Sequence, residues 1–105
     1  MTISHAQVQQ AVGPQGWGLV GDELQTYVAT GDFAAGVRLV DGIGELADAA
    51  NHHPDVVLRY PGVTIALTSH DVGDLTERDV DLALAISALV RDLGHEQHPE
   101  PPSAG

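Results

Sequence analysis

The sequence predicts an α+β fold, a two-layer sandwich whose four-stranded antiparallel sheet carries helices on one face, in the order (α)ββαββα. Two long helical segments with one apolar stripe each, and two pairs of short strands around turn residues, lead to this prediction. The 105 residues suit a single small domain, which we place at residues 1–94. Residues 95–105 lack an apolar anchor and are predicted to be a disordered C-terminal tail.

Three segments have the pattern of a capped helix. Ser4 is an N-cap residue for a short helix, and Asp32 is one for the long segment Phe33–Ala50. The third helix begins at Thr76, which forms a capping box with Asp79. Apolar residues recur every three or four positions in the two longer helices, so each of them needs a partner layer that buries one face.

The predicted strands form two hairpins. The first joins Trp17–Val20 to Leu24–Ala29, and the second joins Val56–Tyr60 to Val63–Ser69. Side chains alternate between the two faces of a strand, so His70 lies opposite the apolar face if the last strand continues that far. The second hairpin therefore returns the chain, at His70, to the neighbourhood in which the hairpin began.

The composition favours a protein that binds neither nucleic acid nor membranes. Fifteen acidic residues and four basic ones give a formal net charge of −11, whereas phosphate backbones are bound mainly by lysine and arginine. No apolar run approaches the roughly 20 residues that span a bilayer, and no secretory leader is recognisable. The absence of cysteine excludes disulfides and thiolate metal ligands and suits the cytoplasm, where we expect the protein to be located.

A helix end with two adjacent histidines is the strongest candidate for a functional site. His52 and His53 precede Pro54, which lacks a backbone donor and disfavours helix at the residue before it. Asp48 lies one helical turn before His52, and the second hairpin brings His70 back towards the same corner. Imidazole titrates near pH 6.5, so one ring could donate a proton while another accepts one, which suits general acid/base catalysis.

Two other interpretations of the histidines remain open at this point. Three neutral imidazoles can bind zinc, although the adjacency of His52 and His53 does not match the usual ligand spacing. Alternatively, one of the pair meets the terminal carbonyl groups of the preceding helix, and the other histidines are ordinary surface residues. Spacing alone does not decide among the three interpretations.

Several motifs stand at fixed distances along the middle of the chain. They are Ala47-Asp48-x-x-x-His52-His53-Pro54-Asp55, Tyr60, Thr68-Ser69-His70-Asp71 and Leu75-Thr76-x-Arg78-Asp79. One His-His-Pro motif is weak evidence, whereas its combination with the later motifs at these distances is specific. Together they resemble the signature of the pterin-4a-carbinolamine dehydratase family, the 4a-hydroxytetrahydrobiopterin dehydratases, and the similarity extends over roughly residues 16–88.

The resemblance implies an enzyme, a hydro-lyase that removes water from 4a-hydroxytetrahydropterin to form quinonoid dihydropterin in tetrahydropterin recycling. It implies no metal and no cofactor, a small-molecule pterin as the partner, and a homo-oligomer of two or four subunits. Carried over by motif, the catalytic acid/base residues would be His52, His53 and His70. The substrate-binding residues would be Asp48, Pro54, Thr68, Ser69, Arg78 and Asp79.

The chain departs from the family pattern at several positions. Asp48 stands where the family usually has glutamate, and Val56 and Val57 stand where bulky aromatic residues are common. These departures affect the pocket walls and the subunit interface more than the chemistry. Because the family also contains cofactors that bind other proteins, the alternative function is that of a non-catalytic oligomeric protein-binding module.

Overall fold

The α+β prediction is confirmed by the computed structural model, which describes residues 3–102 as an antiparallel sheet packed against helices. The helices are α1 (His5–Val12), α2 (Phe33–Ala50) and α3 (Glu77–Asp92), with a short 3-10 turn at Gly13–Gln15. The strands are β1 (Gly18–Val20), β2 (Glu23–Ala29), β3 (Asp55–Arg59), β4 (Gly62–Leu67) and β5 (Glu96–His98). None of the helices in this described part combines the length and the hydrophobicity that a membrane-spanning segment requires.

The predicted helix N-caps are all present. Ser4, Asp32 and Thr76 each accept a hydrogen bond from a backbone N–H in the first turn of the helix that follows. Thr76 and Asp79 also form the predicted capping box, in which the Asp79 carboxylate accepts from the N–H of Thr76 over 2.9 Å. The starting points of the helices therefore follow from local chemistry.

The strands form one sheet in the order β1-β2-β4-β3, with every pair antiparallel. Strand β2 pairs with β4 along Leu24–Ala29, so β1 and β5 must share the other edge of β2. β1 covers Glu23–Gln25 and β5 covers Tyr27–Ala29, and the two short strands therefore lie end to end along that edge.

Two details of the predicted architecture are wrong. The described sheet has five strands instead of four, and the tail predicted for residues 95–105 is ordered in part, because Glu96–His98 forms β5. The hydroxyl of Thr26 lies within hydrogen-bond distance of the carbonyl oxygens of Gly16 (2.7 Å) and His98 (3.0 Å) and so holds this strand in place. Pairing with a free strand edge uses backbone groups, which leave no apolar pattern in the sequence. Residues 103–105 lie outside the described part of the chain.

The hydrophobic core lies between the sheet and the helices. The fully buried side chains on the inner face of the sheet and on the facing stripes of α2 and α3 include Leu24, Val28, Val63, Ile65, Leu67, Leu39, Ile43, Leu82 and Ile86. Since alternate residues of a strand point to the same face, the apolar side of the predicted hairpin is the buried one. Helices α2 and α3 also pack on each other, and the end of α2 lies beside the start of α3.

Gly62 permits a close contact across the outer face of the sheet. The phenol ring of Tyr27 covers Gly62, and a Cβ atom at that position would overlap the ring. We expect Gly62→Ala to lower the free energy of unfolding by about 1–3 kcal/mol, because Tyr27 must move to make room. Urea unfolding measures this change, and a variant as stable as the wild type would contradict the contact.

Gly44 provides a matched control for this substitution. It lies within α2, and no atom would lie within 4 Å of a Cβ atom placed there. Gly44→Ala should therefore raise the free energy of unfolding by about 0.5–1 kcal/mol, since alanine loses less backbone entropy in a helix.

Candidate active site

Helix α2 ends in a Schellman motif that sends its two following histidines in different directions. Asn51 has a left-handed backbone, with φ 50° and ψ 41°, and its N–H donates to the carbonyl oxygen of Asp48 over 3.2 Å. The N–H of His52 donates to the carbonyl oxygen of Ala47, also over 3.2 Å. The ring of His52 is consequently 9% exposed, whereas that of His53 is 58% exposed.

The buried His52 ring is bonded to a fully buried carboxylate. Its Nε2 atom lies 2.6 Å from Oδ1 of Asp79, which sits in the first turn of α3. The other oxygen of Asp79 accepts from the hydroxyl of Ser69 (2.7 Å) and from the N–H of Thr76 (2.9 Å). With the carboxylate ionised, Nε2 of His52 carries the hydrogen of the shared bond, which leaves Nδ1 as the free ring nitrogen.

Hydroxyl groups continue this network behind the pair. The Ser69 and Thr76 hydroxyl oxygens lie 2.8 Å apart, and because Ser69 donates to Asp79, Thr76 donates to Ser69. The oxygen of Thr76 in turn accepts from the backbone N–H and the Nε–H of Arg78, at 3.2 and 3.3 Å. The hydrogen bonds therefore run in one direction, from Arg78 through Thr76 and Ser69 to Asp79. This network fixes the position of the Asp79 carboxylate.

Arg78 also bridges the site to the loop that precedes α3. Its Nη2 group donates to both oxygens of Asp71, at 2.8 and 3.1 Å. This hydrogen bond is the main reason that the pKa of Asp71 is held below its ordinary value, and the positive charge of Arg78 lowers it further. The guanidinium and the Asp71 carboxylate are both largely exposed, so the bridge orients the two groups more than it stabilises the fold.

A groove of about 340 Å³ opens beside His52 between α2 and α3. Its apolar walls come from Leu46, Ala49, Ala50, Leu82 and Ala85, and its polar groups are His52, Arg78 and Asp81. Such a size and a few polar groups on apolar walls are typical of sites for small, flat ligands. A larger cavity of about 670 Å³ lies on the other side of the sheet, but its lining of Tyr27, Ala29, Pro61 and His98–Pro102 does not include the buried histidine–carboxylate pair.

The other two predicted catalytic histidines are exposed. Nε2 of His53 lies 2.9 Å from Oδ1 of Asp48, and both side chains face solvent. His70 occupies the exposed turn that follows Ser69. Among residues 3–102, the three imidazoles do not approach one another closely enough to hold one metal ion together. The structure therefore joins His52 with Asp79 and leaves His53 paired with Asp48.

The remaining predicted site residues do not all lie at the groove. The Thr68 hydroxyl donates to the carbonyl oxygen of Asp22 over 2.8 Å and so holds the turn between β1 and β2. Pro54 is partly buried just after the two histidines. Ser69 is buried and bonded to Asp79, and Arg78 lines the groove.

Sequence reasoning did not assign roles to several residues of this site. Thr76 was predicted as a helix cap, and its hydroxyl also belongs to the network around Asp79. Asp71 follows His70 in one of the spaced motifs, which was the available signal for its bond with Arg78. The groove walls left no separate signal, because alanine and leucine on α2 and α3 match an ordinary helix interface.

Comparison with known proteins places the chain among relatives of similar length. A family model described as "Pterin 4 alpha carbinolamine dehydratase" matches residues 1–89. A relative from Cyanothece sp., provisionally named pterin-4-alpha-carbinolamine dehydratase, is 42% identical over 90 residues, which cover 85% of this chain and 93% of that protein. A relative from Nocardia farcinica with the same provisional name is 44% identical over 75 residues, which cover 71% of this chain and 79% of that protein.

Two solved structures share the fold. A transcriptional coactivator/pterin dehydratase from Brucella melitensis has a TM-score of 0.79 at 20% identity and covers 86% of this chain and 99% of its own. A pterin dehydratase-like protein identified as a RuBisCO assembly factor in the alpha-carboxysome has a TM-score of 0.61 at 23% identity, covering 71% of this chain and 89% of its own. At these identities the structures support the fold alone. The family model and the sequence relatives go further, and the chain belongs to the pterin-4a-carbinolamine dehydratase family.

Proposed function

We propose that this protein is a hydro-lyase that converts 4a-hydroxytetrahydropterin to quinonoid dihydropterin in tetrahydropterin recycling. The observation that carries the proposal is the buried His52–Asp79 pair beside the groove between α2 and α3. Membership of the family supports the same reaction class. The groove also has the size and the apolar walls that suit a flat bicyclic ring.

The reaction requires one proton to arrive and one to leave. The C4a–O bond breaks as the oxygen receives a proton and departs as water, and N5 loses its proton as the N5–C4a double bond forms. With Nε2 of His52 committed to Asp79, Nδ1 is the nitrogen that exchanges a proton with the substrate. General acid/base groups contribute typically about 10²–10⁴-fold each, which is enough for a labile carbinolamine.

The other predicted site residues have defined places in this proposal. His53 and His70 supply the second proton-transfer group, with Asp48 as the partner of His53. Arg78 contacts the pterin from the groove. Pro54, which is partly buried directly after the two histidines, shapes the pocket by fixing the backbone at that corner.

Three further residues have supporting roles in the same proposal. Ser69 and Asp79 position His52 from behind. Thr68 offers the pterin amide edge its backbone groups, because its hydroxyl is already bonded to Asp22.

Measuring dehydration by the wild-type protein tests the proposal directly. The carbinolamine is generated in the cuvette, and its loss is followed by stopped-flow absorbance with and without protein. We expect a saturable rate above the uncatalysed one. A His95→Gln variant serves as the control, since His95 is among neither the groove residues nor the motif histidines, and it should keep the wild-type rate. A folded wild-type protein that gives only the uncatalysed rate would contradict the proposal.

A non-catalytic protein-binding module is the second candidate. Phe33 and Val37 lie one turn apart on α2 and remain 50% and 46% exposed, which is unusual for large apolar side chains. The assembly-factor relative of similar fold motivates this alternative. A protein that neither binds pterin nor accelerates dehydration would favour it, whereas burial of these side chains between two or four copies would agree with the proposed homo-oligomer. As part of the hydro-lyase proposal, we also propose that the protein acts in the cytoplasm.

A further inference from the structure

A second group of titratable side chains lies apart from the groove, where three segments of the chain meet. His5 stands at the start of α1, Asp22 in the turn between β1 and β2, and Asp74 in the loop before α3. One ligand atom of each residue lies within 4.8 Å of those of the other two, and Nε2 of His5 is 2.8 Å from Oδ1 of Asp74. None of the three belongs to the site described above, and the dehydratase chemistry does not require them.

Each of the three segments is held in place by contacts outside the group. Helix α1 is anchored by two fully buried valines, Val8 and Val12. The turn that carries Asp22 is bonded through its carbonyl oxygen to the hydroxyl of Thr68 (2.8 Å). The segment that carries Asp74 is fixed by its backbone bridge to Ser69. The three donors are therefore brought together by the fold and not by chance contacts of flexible side chains.

The charges in the group attract a cation. Two carboxylates face one imidazole in a protein with a formal net charge of −11. The ligand atoms of the three side chains therefore surround a space that favours a positive charge.

We propose that His5, Asp22 and Asp74 bind a divalent transition-metal ion of the zinc class. One imidazole nitrogen and two carboxylate oxygens are donors that Zn²⁺ accepts, whereas Mg²⁺ and Ca²⁺ prefer oxygen donors alone. Tetrahedral bonds of about 2.1 Å place ligand atoms about 3.4 Å apart, so shifts of about 1 Å complete the site. Three protein ligands leave at least one position for water or another small ligand.

The ion would connect α1 to two loops of the body of the protein. Because a preformed site binds the folded chain and not the unfolded one, zinc should raise Tm. This role is structural and independent of the dehydratase proposal. The proposed zinc ligands are separate from the dehydratase site, because His52, His53 and His70 are not among them.

Zinc titration by calorimetry and thermal melting tests the site. ZnCl₂ is added to the wild-type protein, to Asp22→Asn and to His98→Gln, with MgCl₂ as the competing hard ion. Asp22→Asn removes a ligand but keeps the His5–Asp74 pair. His98→Gln is the matched control, because His98 stands 3.7 Å from Glu96 in another exposed histidine–carboxylate pair.

We expect zinc, but not magnesium, to bind the wild type and raise its Tm. Asp22→Asn should weaken zinc binding about tenfold or more, the effect of losing one ligand of three, while His98→Gln should bind as the wild type does. Circular dichroism verifies that both variants are folded. Undiminished zinc affinity in Asp22→Asn would show that zinc binds elsewhere on the protein and would overturn the proposal. Wild-type affinity weaker than about 1 mM would also overturn it.

Discussion

Replacing His52 with glutamine is expected to lower kcat for pterin-carbinolamine dehydration by about 10²–10⁴-fold, with a smaller change in KM. The glutamine amide can still donate to the buried Asp79 carboxylate, so the fold should be retained while the titratable ring is lost. Steady-state kinetics on the carbinolamine generated in situ measure both constants. Circular dichroism and thermal melting of the same sample establish that the variant is folded.

Two comparisons make this result specific. His53→Gln removes an exposed ring that is paired with the exposed Asp48, so its effect on kcat should be smaller than that of His52→Gln. If His52→Gln retained the wild-type kcat while His53→Gln or His70→Gln lost it, the buried pair would not be the proton-transfer group. The proton-transfer role would then be assigned to the exposed histidines His53 and His70. The membership of the chain in the family would be unaffected.

Replacing Asp79 with alanine is expected to lower the free energy of unfolding by about 3–5 kcal/mol. The carboxylate is fully buried and accepts from His52, Ser69 and the N–H of Thr76, so its removal leaves three buried donors without an acceptor. For a domain of this size such a loss lowers Tm by more than about 10 °C. Urea unfolding and differential scanning calorimetry measure the two quantities.

The control for this substitution is Asp48→Ala, which also removes the carboxylate partner of a histidine. Asp48 is 83% exposed, and we expect a change of less than about 1 kcal/mol, as is usual for exposed ion pairs. Equal effects of the two substitutions would mean that burial does not strengthen the Asp79 contacts. Asp79→Asn, which keeps the shape of the side chain, should be the milder variant and allows kcat to be measured on folded protein.

The Asp79→Asn variant also distinguishes the proposed role of Asp79 in positioning His52 from its role in stabilising the fold. An amide can offer a hydrogen as well as accept one, so it no longer holds His52 in the tautomer that leaves Nδ1 free. At a temperature where the variant is folded, kcat should fall while KM changes little. A variant that is destabilised but has a normal kcat would restrict Asp79 to a structural role.

Several features of the fold were predictable because they depend on neighbouring residues. Ser4, Asp32 and Thr76 cap their helices as predicted, since a cap is a bond within one turn. The strand at Glu96–His98 was not predictable, because its only reason to form is the free edge of β2 nearly seventy residues earlier in the chain. The packing of Tyr27 over Gly62 is a similar case of a long-range contact with no local pattern.

For the site, the sequence by itself determined the helix end at His52 and His53, the motif spacing and hence the family. Only the tertiary structure decided that His52 is the buried ring and that Asp79 is its partner. The Schellman turn directs one histidine inward, but a buried acceptor is present there because α3 begins beside the end of α2, 27 residues later. Burial and pairing are properties of two packed elements, and no pattern within either element encodes them alone.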